Sequence, residues 1–196
     1  MKTKRKQGMS PYDLAFVGVM AAIIYVVTMF RIPVGQSKIH LANAMCLLSG
    51  LLFGPVAGGL ASGIGSALYD ALAGGYDVVN VLITFVSKMA MAIVCSLIAG
   101  THYNKTAGSR KNVQFWRIIL GCIAGALTYV ALYMLKSWIF ISLVDGLSGE
   151  ALMLKMAGKF FPSLINAAAA VVVAPILYAP LKSILKTGSV RKTYKN

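Results

Sequence analysis

The chain is 196 residues long, 58% hydrophobic and only 12% charged, with a mean hydropathy of +0.76. That composition excludes a soluble globular domain, and apolar runs of about 20 residues, enough for a helix to cross a hydrocarbon core, exclude a barrel built from alternating segments of about 10. A formal net charge of +14 raises the question of nucleic acid, but the charge follows membrane topology and no nucleic-acid partner is expected.

Of the 19 basic residues, 13 fall in three segments: Lys2, Lys4, Arg5 and Lys6; Lys105, Arg110, Lys111 and Arg117; and Lys182, Lys186, Arg191, Lys192 and Lys195. An even number of spans between these segments puts them on one side, which the positive-inside rule makes the cytoplasm. Asp70, Asp77, Asp145 and Glu150 fall near the other side. The predicted fold is an all-α integral membrane protein, a single bundle of six transmembrane helices with cytoplasmic N- and C-termini. Residues 1–10 form a basic cytoplasmic segment, 11–186 the six-helix substrate-binding domain, and 187–196 a basic cytoplasmic tail.

The first span runs from about Tyr12 to Phe30. Its apolar run from Leu14 exceeds a signal-peptide h-region and no small-residue cleavage site follows, so a retained span is predicted. Gly18 and Ala22 form a small-x-x-x-small pair with Ala15 and Ala21 beside them, suited either to packing within the bundle or to a partner's helix. The polar stretch from Arg31 to His40 is predicted as an outer loop able to act as a lid. A short second span, about Leu41 to Phe53, turns at Gly54-Pro55 into a glycine-rich third, about Val56 to Ala73.

Gly74 to Asp77 make the next outer turn. The fourth span, about Val78 to Gly100, carries Asn80, Thr84 and Lys88 at i, i+4 and i+8, which places three polar groups on one helical face. A cation at the depth of Lys88 costs about 2.5–3.5 kcal/mol on an insertion scale, so something must compensate it. Asp70 is the nearest anion in sequence able to do so. Two roles stay open for Lys88: pairing or snorkelling for folding, or binding and gating a substrate.

From about Val113 to Val144 the apolar stretch exceeds one bilayer thickness, and Tyr129, Tyr133, Lys136 and Phe140 share one of its faces. An acidic connection (Asp145, Gly146, Gly149, Glu150) precedes a short amphipathic piece predicted over Ala151 to Phe161. The last span is placed at about Pro162 to Leu181, with Pro162 in its first turn, Pro175 at a kink, and Asn166 on the face that carries Lys159. Cys46, Cys95 and Cys122 are isolated in apolar segments and the chain has only two histidines. Buried free thiols are expected, with no disulfide, metal site or cofactor.

No G-x-x-x-x-G-K-[ST], H-E-x-x-H or G-x-S-x-G motif is present, so neither ATP hydrolysis nor another enzymatic activity is expected of this chain. Energy for moving a solute has to come from a gradient or from a partner. At this point the residues resemble a known family, the S components (substrate-binding membrane subunits) of energy-coupling factor (ECF) vitamin transporters, in the riboflavin-transporter-like branch. Lys38-Ile-His40-Leu-Ala-Asn43 and Leu51-Leu-Phe-Gly54-Pro55 resemble the start of the family's helices two and three. Gly65-Ser-Ala-Leu-Tyr-Asp70 followed by Thr84-Phe-Val-Ser-Lys88 resembles its G-S-x-x-x-D and T-x-x-x-K stretch, and Phe161-Pro-Ser-Leu-Ile-Asn166 its last helix.

The resemblance implies capture of a small water-soluble vitamin or precursor at the outer face of the cell membrane. Riboflavin, pyridoxine, a thiamin pyrimidine and queuosine precursors all stay open. It also implies docking on a coupling transmembrane subunit with two cytoplasmic ATPases. The family's helix-one docking pair falls on Gly18 and Ala22, with glycine in place of the first alanine and Ala15 on the same strip. Substrate contacts are expected at His40, Asn43, Asp70, Tyr76, Asn80, Thr84, Lys88, Tyr133, Lys136 and Asn166, with Tyr76 and Tyr133 stacking on a flat ring. The competing readings are a stand-alone proton-coupled or facilitative transporter using Asp70 and Lys88 as a relay, a small intramembrane enzyme, and a structural subunit.

Overall fold

The structure, a computed structural model, describes Met9 and residues 11–34, 37–101 and 114–193, with backbone alone at 34, 37 and 184–193. The expected basic segment 1–10, apart from Met9, and the inner-loop residues Lys105, Arg110 and Lys111 lie outside the described residues. Helix α1 spans Pro11–Met29; strands β1 (Arg31–Val34) and β2 (Ser37–His40) follow, then α2 (Ala42–Leu72), α3 (Val78–Ala99), α4 (Phe115–Ile139), a π-helical turn (Phe140–Val144) and α5 (Gly149–Thr193). Five helical stretches are long and apolar enough to cross a membrane: α1, α2, α3, Phe115–Val144 and Gly149–Ser183.

Helix α2 is not straight. Gly54 has φ 82° and ψ −175°, a left-handed backbone that favours glycine, and Pro55 begins the second half. Cys46 Sγ lies 3.8 Å from Ser66 Oγ, whereas twenty residues of straight helix would separate them by about 30 Å. The two halves therefore run antiparallel, as the Gly54-Pro55 turn in the sequence predicts. Buried serines line the seam: Ser49 Oγ is 2.7 Å from Ser62 Oγ and 2.9 Å from the Gly58 carbonyl.

Backbone-to-backbone contact holds the rest together, because apolar side chains gain little by leaving lipid and close approach supplies the van der Waals energy instead. A Cβ on Gly58 would strike the Ser49 carbonyl and lie 2.7 Å from Gly50 Cα; one on Gly125 of α4 would lie 2.6 Å from the Met91 carbonyl of α3. Gly65 of α2 packs in the same way on Ala21 of α1. Between these seams lies a core of Ile24, Leu47, Leu48, Leu51, Met91 and Ala126, with Cys46, Cys95 and Cys122 buried as free thiols. Gly18, in contrast, has open space beside it, and Ala15 and Ala22 are exposed with it on the outer face of α1.

One expectation is refined and another corrected. Within the expected outer loop, residues 31–34 and 37–40 pair as two antiparallel strands, in register Arg31 with His40 and Pro33 with Lys38, so the loop carries regular structure. The segment Ala151 to Phe161 is not a separate amphipathic piece, and Pro162 does not open the last helix: both lie inside α5, which runs unbroken from Gly149 through Pro162, Pro175 and Pro180. Proline removes one backbone donor, but membrane helices tolerate it where neighbouring helices and side chains satisfy the freed carbonyl. Replacing Gly58 by leucine is expected to lower stability by about 1–3 kcal/mol in thermal unfolding of the detergent-solubilised protein, because it pries the α2 hairpin apart. Gly18→Ala, with nothing to displace, is expected to stay within about 0.5 kcal/mol of wild type.

Candidate substrate-binding cavity

The hairpin, the α2–α3 turn, the π-helical turn and the first half of α5 gather at one end of the bundle and surround a cavity of about 470 Å³. Each wall has a local cause. Asp77 caps α3 by accepting from the Asn80 backbone N–H at 3.2 Å and from the Asn80 side-chain amide, so α3 starts where its polar face meets the cavity. The bonds to Asn80 also hold the exposed Asp77 carboxyl below its usual range. On α4 the helical period brings Tyr129, Tyr133, Lys136 and Phe140 onto the lining together, as their shared face in the sequence predicts. Tyr129 and Tyr133 stack with ring centroids 6.1 Å apart.

Lys88 forms the floor. Only 3% of it is accessible, its ammonium donates to Asn43 Oδ1, and it sits 3.7 Å from the centre of the Tyr129 ring. A Lys88–Asp70 ion pair, one of the roles left open for this lysine, is absent among the described residues. A neutral amide and a ring face stabilise the buried cation without burying a second formal charge. Asp70 lines the cavity with its carboxylate free of hydrogen bonds and ion pairs among the described residues.

Nine of the ten residues expected to touch substrate line the cavity: His40, Asp70, Tyr76, Asn80, Thr84, Lys88, Tyr133, Lys136 and Asn166. Asn43 lies beneath it, fully buried, and acts through Lys88. Asn166 has a second duty: its amide accepts from the His40 backbone N–H at 2.9 Å and donates to the Lys38 carbonyl at 2.7 Å, clamping the hairpin onto α5. The lining also includes Arg31, Lys38, Tyr69, Tyr129 and Lys159, which are not among the ten. Tyr129 was legible as a member of the Tyr133 and Lys136 face, and Lys159 as the neighbour of Asn166. Arg31 and Lys38 needed the hairpin.

His40 lies at the junction of β2 and α2, outside the spans. Burial, reinforced by the charges of Lys88, Arg31 and Lys38, pushes its pKa down to about 3, so its ring is neutral at physiological pH. Its Nδ1 is buried without a hydrogen-bond partner among the described residues, a polar atom left for something else to satisfy.

Two outcomes follow from this geometry. The folded His40 resists protonation while the unfolded one accepts a proton below about pH 6.5, so stability falls as pH drops through the window between 6.5 and 3. Thermal unfolding from pH 7.5 to 5 should show a loss of at most about 2 kcal/mol, less after solvent screening, that His40→Gln removes. Separately, Asn43→Ala should cost about 1.5–3 kcal/mol by stranding the buried ammonium, whereas Asp70→Asn should leave unfolding within about 0.5 kcal/mol of wild type.

Three comparisons bear on this site. A curated protein of Pyrococcus woesei, described as "Uncharacterized protein in gap 3'region", is 30% identical over 108 residues, covering 55% of this chain; the match spans 64% of that relative's length. A solved structure described as "Structure and mechanism of the S component of a bacterial ECF transporter" superposes with a TM-score of 0.68 over 89% of this chain and 98% of its own, at 18% identity, and shows that the fold is shared. The profile of the family "ECF-type riboflavin transporter, S component" matches residues 8–183. With nearly the whole helical bundle matched, the chain belongs to the ECF-type riboflavin transporter S-component family, a family of multi-pass membrane subunits that bind substrate for transport.

Proposed function

We propose that this chain is the substrate-specific subunit of an ECF-type importer in the cell membrane, with both termini cytoplasmic and the two halves of α2 counting as separate crossings, six in all. The cavity opens to the outer face and captures a small water-soluble vitamin or precursor of the riboflavin, pyridoxine, thiamin pyrimidine or queuosine-precursor type. A coupling transmembrane subunit and two ATPase subunits then drive its delivery inward. The observation that carries this reading is the convergence of polar and aromatic groups from every part of the bundle end onto one cavity, with His40 Nδ1 left unsatisfied among the described residues. Protein interiors seldom leave buried polar atoms unpaired unless a ligand completes them.

In this reading Tyr129 and Tyr133 supply a surface for a flat ring, His40 and Asp70 hydrogen-bond its edge, and the hairpin, clamped by Asn166, closes the top. The exposed strip of Ala15, Gly18 and Ala22 supports docking, since its small side chains let a partner helix approach closely.

Mass spectrometry of small molecules released from the purified protein should find one stoichiometric compound, retained at least about 10-fold less well by His40→Ala. In cells, Gly18→Leu should abolish uptake while leaving binding intact. Uptake into vesicles that hold this chain without any ATPase would instead favour a stand-alone proton-coupled or facilitative transporter.

A further inference from the structure

Six basic residues lie outside the three basic segments: Arg31, Lys38, Lys88, Lys136, Lys155 and Lys159. Five of them line the cavity, and the sixth, Lys155, bonds Asp145 at 3.2 Å. The lining thus holds five cations against two carboxylates, Asp70 and Asp145, and Asp145 is shared between Lys155 and Lys159. The cations are not matched by acids. Arg31 lies 4.8 Å from the Tyr69 ring centre, Lys38 donates to the Tyr76 hydroxyl at 3.2 Å, Lys88 is held by Asn43 and Tyr129, and Lys136 lies 5.9 Å from the Phe140 ring. Lys159 has no hydrogen-bond or ion-pair partner among the described residues, and it lies within electrostatic range of Asp145 as well as of Lys136 and Lys155.

Like charges gathered around one partly enclosed cavity repel one another, a cost that a bound anion reverses. Rings and neutral acceptors steady the ammonium and guanidinium groups without using up their charge. These cations lie at the end of the bundle where α3 begins, away from Arg117 at the start of α4 and Lys182 late in α5, which runs against the usual bias of membrane proteins if the basic segments are cytoplasmic.

We propose that the cavity selects an anionic substrate, a planar ring compound bearing a carboxylate or a phosphate group, with the acidic group held by Lys136 and Lys159 near the mouth and the ring against Tyr129 and Tyr133. The proposal rests on the substrate-binding reading above and adds the sign of the charge.

The test is calorimetry on the purified full chain with matched probes that differ mainly in charge: flavin mononucleotide against riboflavin, pyridoxine 5′-phosphate against pyridoxine, and nicotinate against nicotinamide. In whichever pair binds, the anionic member should bind at least about 10-fold tighter at low salt. Its advantage should shrink as salt rises, and Lys136→Gln or Lys159→Gln should lower the ratio of anionic to neutral affinity toward one. The phosphate and carboxylate arms separate the two acidic groups. Equal or tighter binding of the neutral member overturns the charge proposal and leaves the substrate-binding reading standing. If no probe binds, the charge of the compound released from the purified protein decides: an anion upholds the proposal and a neutral or cationic compound overturns it. Finding no compound at all removes the substrate-binding reading and the charge proposal with it.

Discussion

A single buried ammonium organises this protein. Lys88 enters the bundle from α3, is bonded by Asn43 near the start of α2, and is covered by the Tyr129 ring of α4. An isolated charge at that depth would be prohibitive, and a carboxylate partner would add a second desolvation cost. The amide and the ring avoid both penalties and tie three helices to one point. On one side of that point the bundle opens into the cavity; on the other lies a close-packed, mainly apolar core.

The lower half of the bundle works by a different principle. Where lipid removes the usual advantage of burying leucine, contact is gained by removing side chains, and Gly50, Gly58, Gly65, Gly121 and Gly125 each sit against a neighbouring backbone carbonyl. The π-helical turn at Phe140–Val144 contributes to the cavity: its wider winding ends α4 beside the cavity and brings Ile141 and Asp145 to the lining.

Function follows from the division between the two halves. A glycine-packed base and a polar cup capped by a short β-hairpin suit a membrane subunit that binds a substrate for transport. The hairpin owes its place to Asn166, which ties residues 126 and 128 positions away in sequence. A side chain whose donor and acceptor are both committed to the backbone of β2 positions the cap, and through it His40, Arg31 and Lys38.

Much of this was legible in the linear sequence because it depends on local periodicity. The i, i+4, i+8 spacing of Asn80, Thr84 and Lys88 and the shared face of Tyr129, Tyr133 and Lys136 are helical geometry, and a Gly-Pro pair in an apolar run marks a turn wherever it occurs. Sequence alone also established the membrane class and the gathering of basic residues into three blocks. Tertiary structure alone decided who meets whom. It assigned Asn43 rather than Asp70 to Lys88, turned a polar loop into a paired hairpin, kept α5 continuous through Pro162, and brought five cations from distant segments around one cavity. Those outcomes depend on the distance between groups far apart in the chain and on the cost of burying charge, and neither is a property of any single helix.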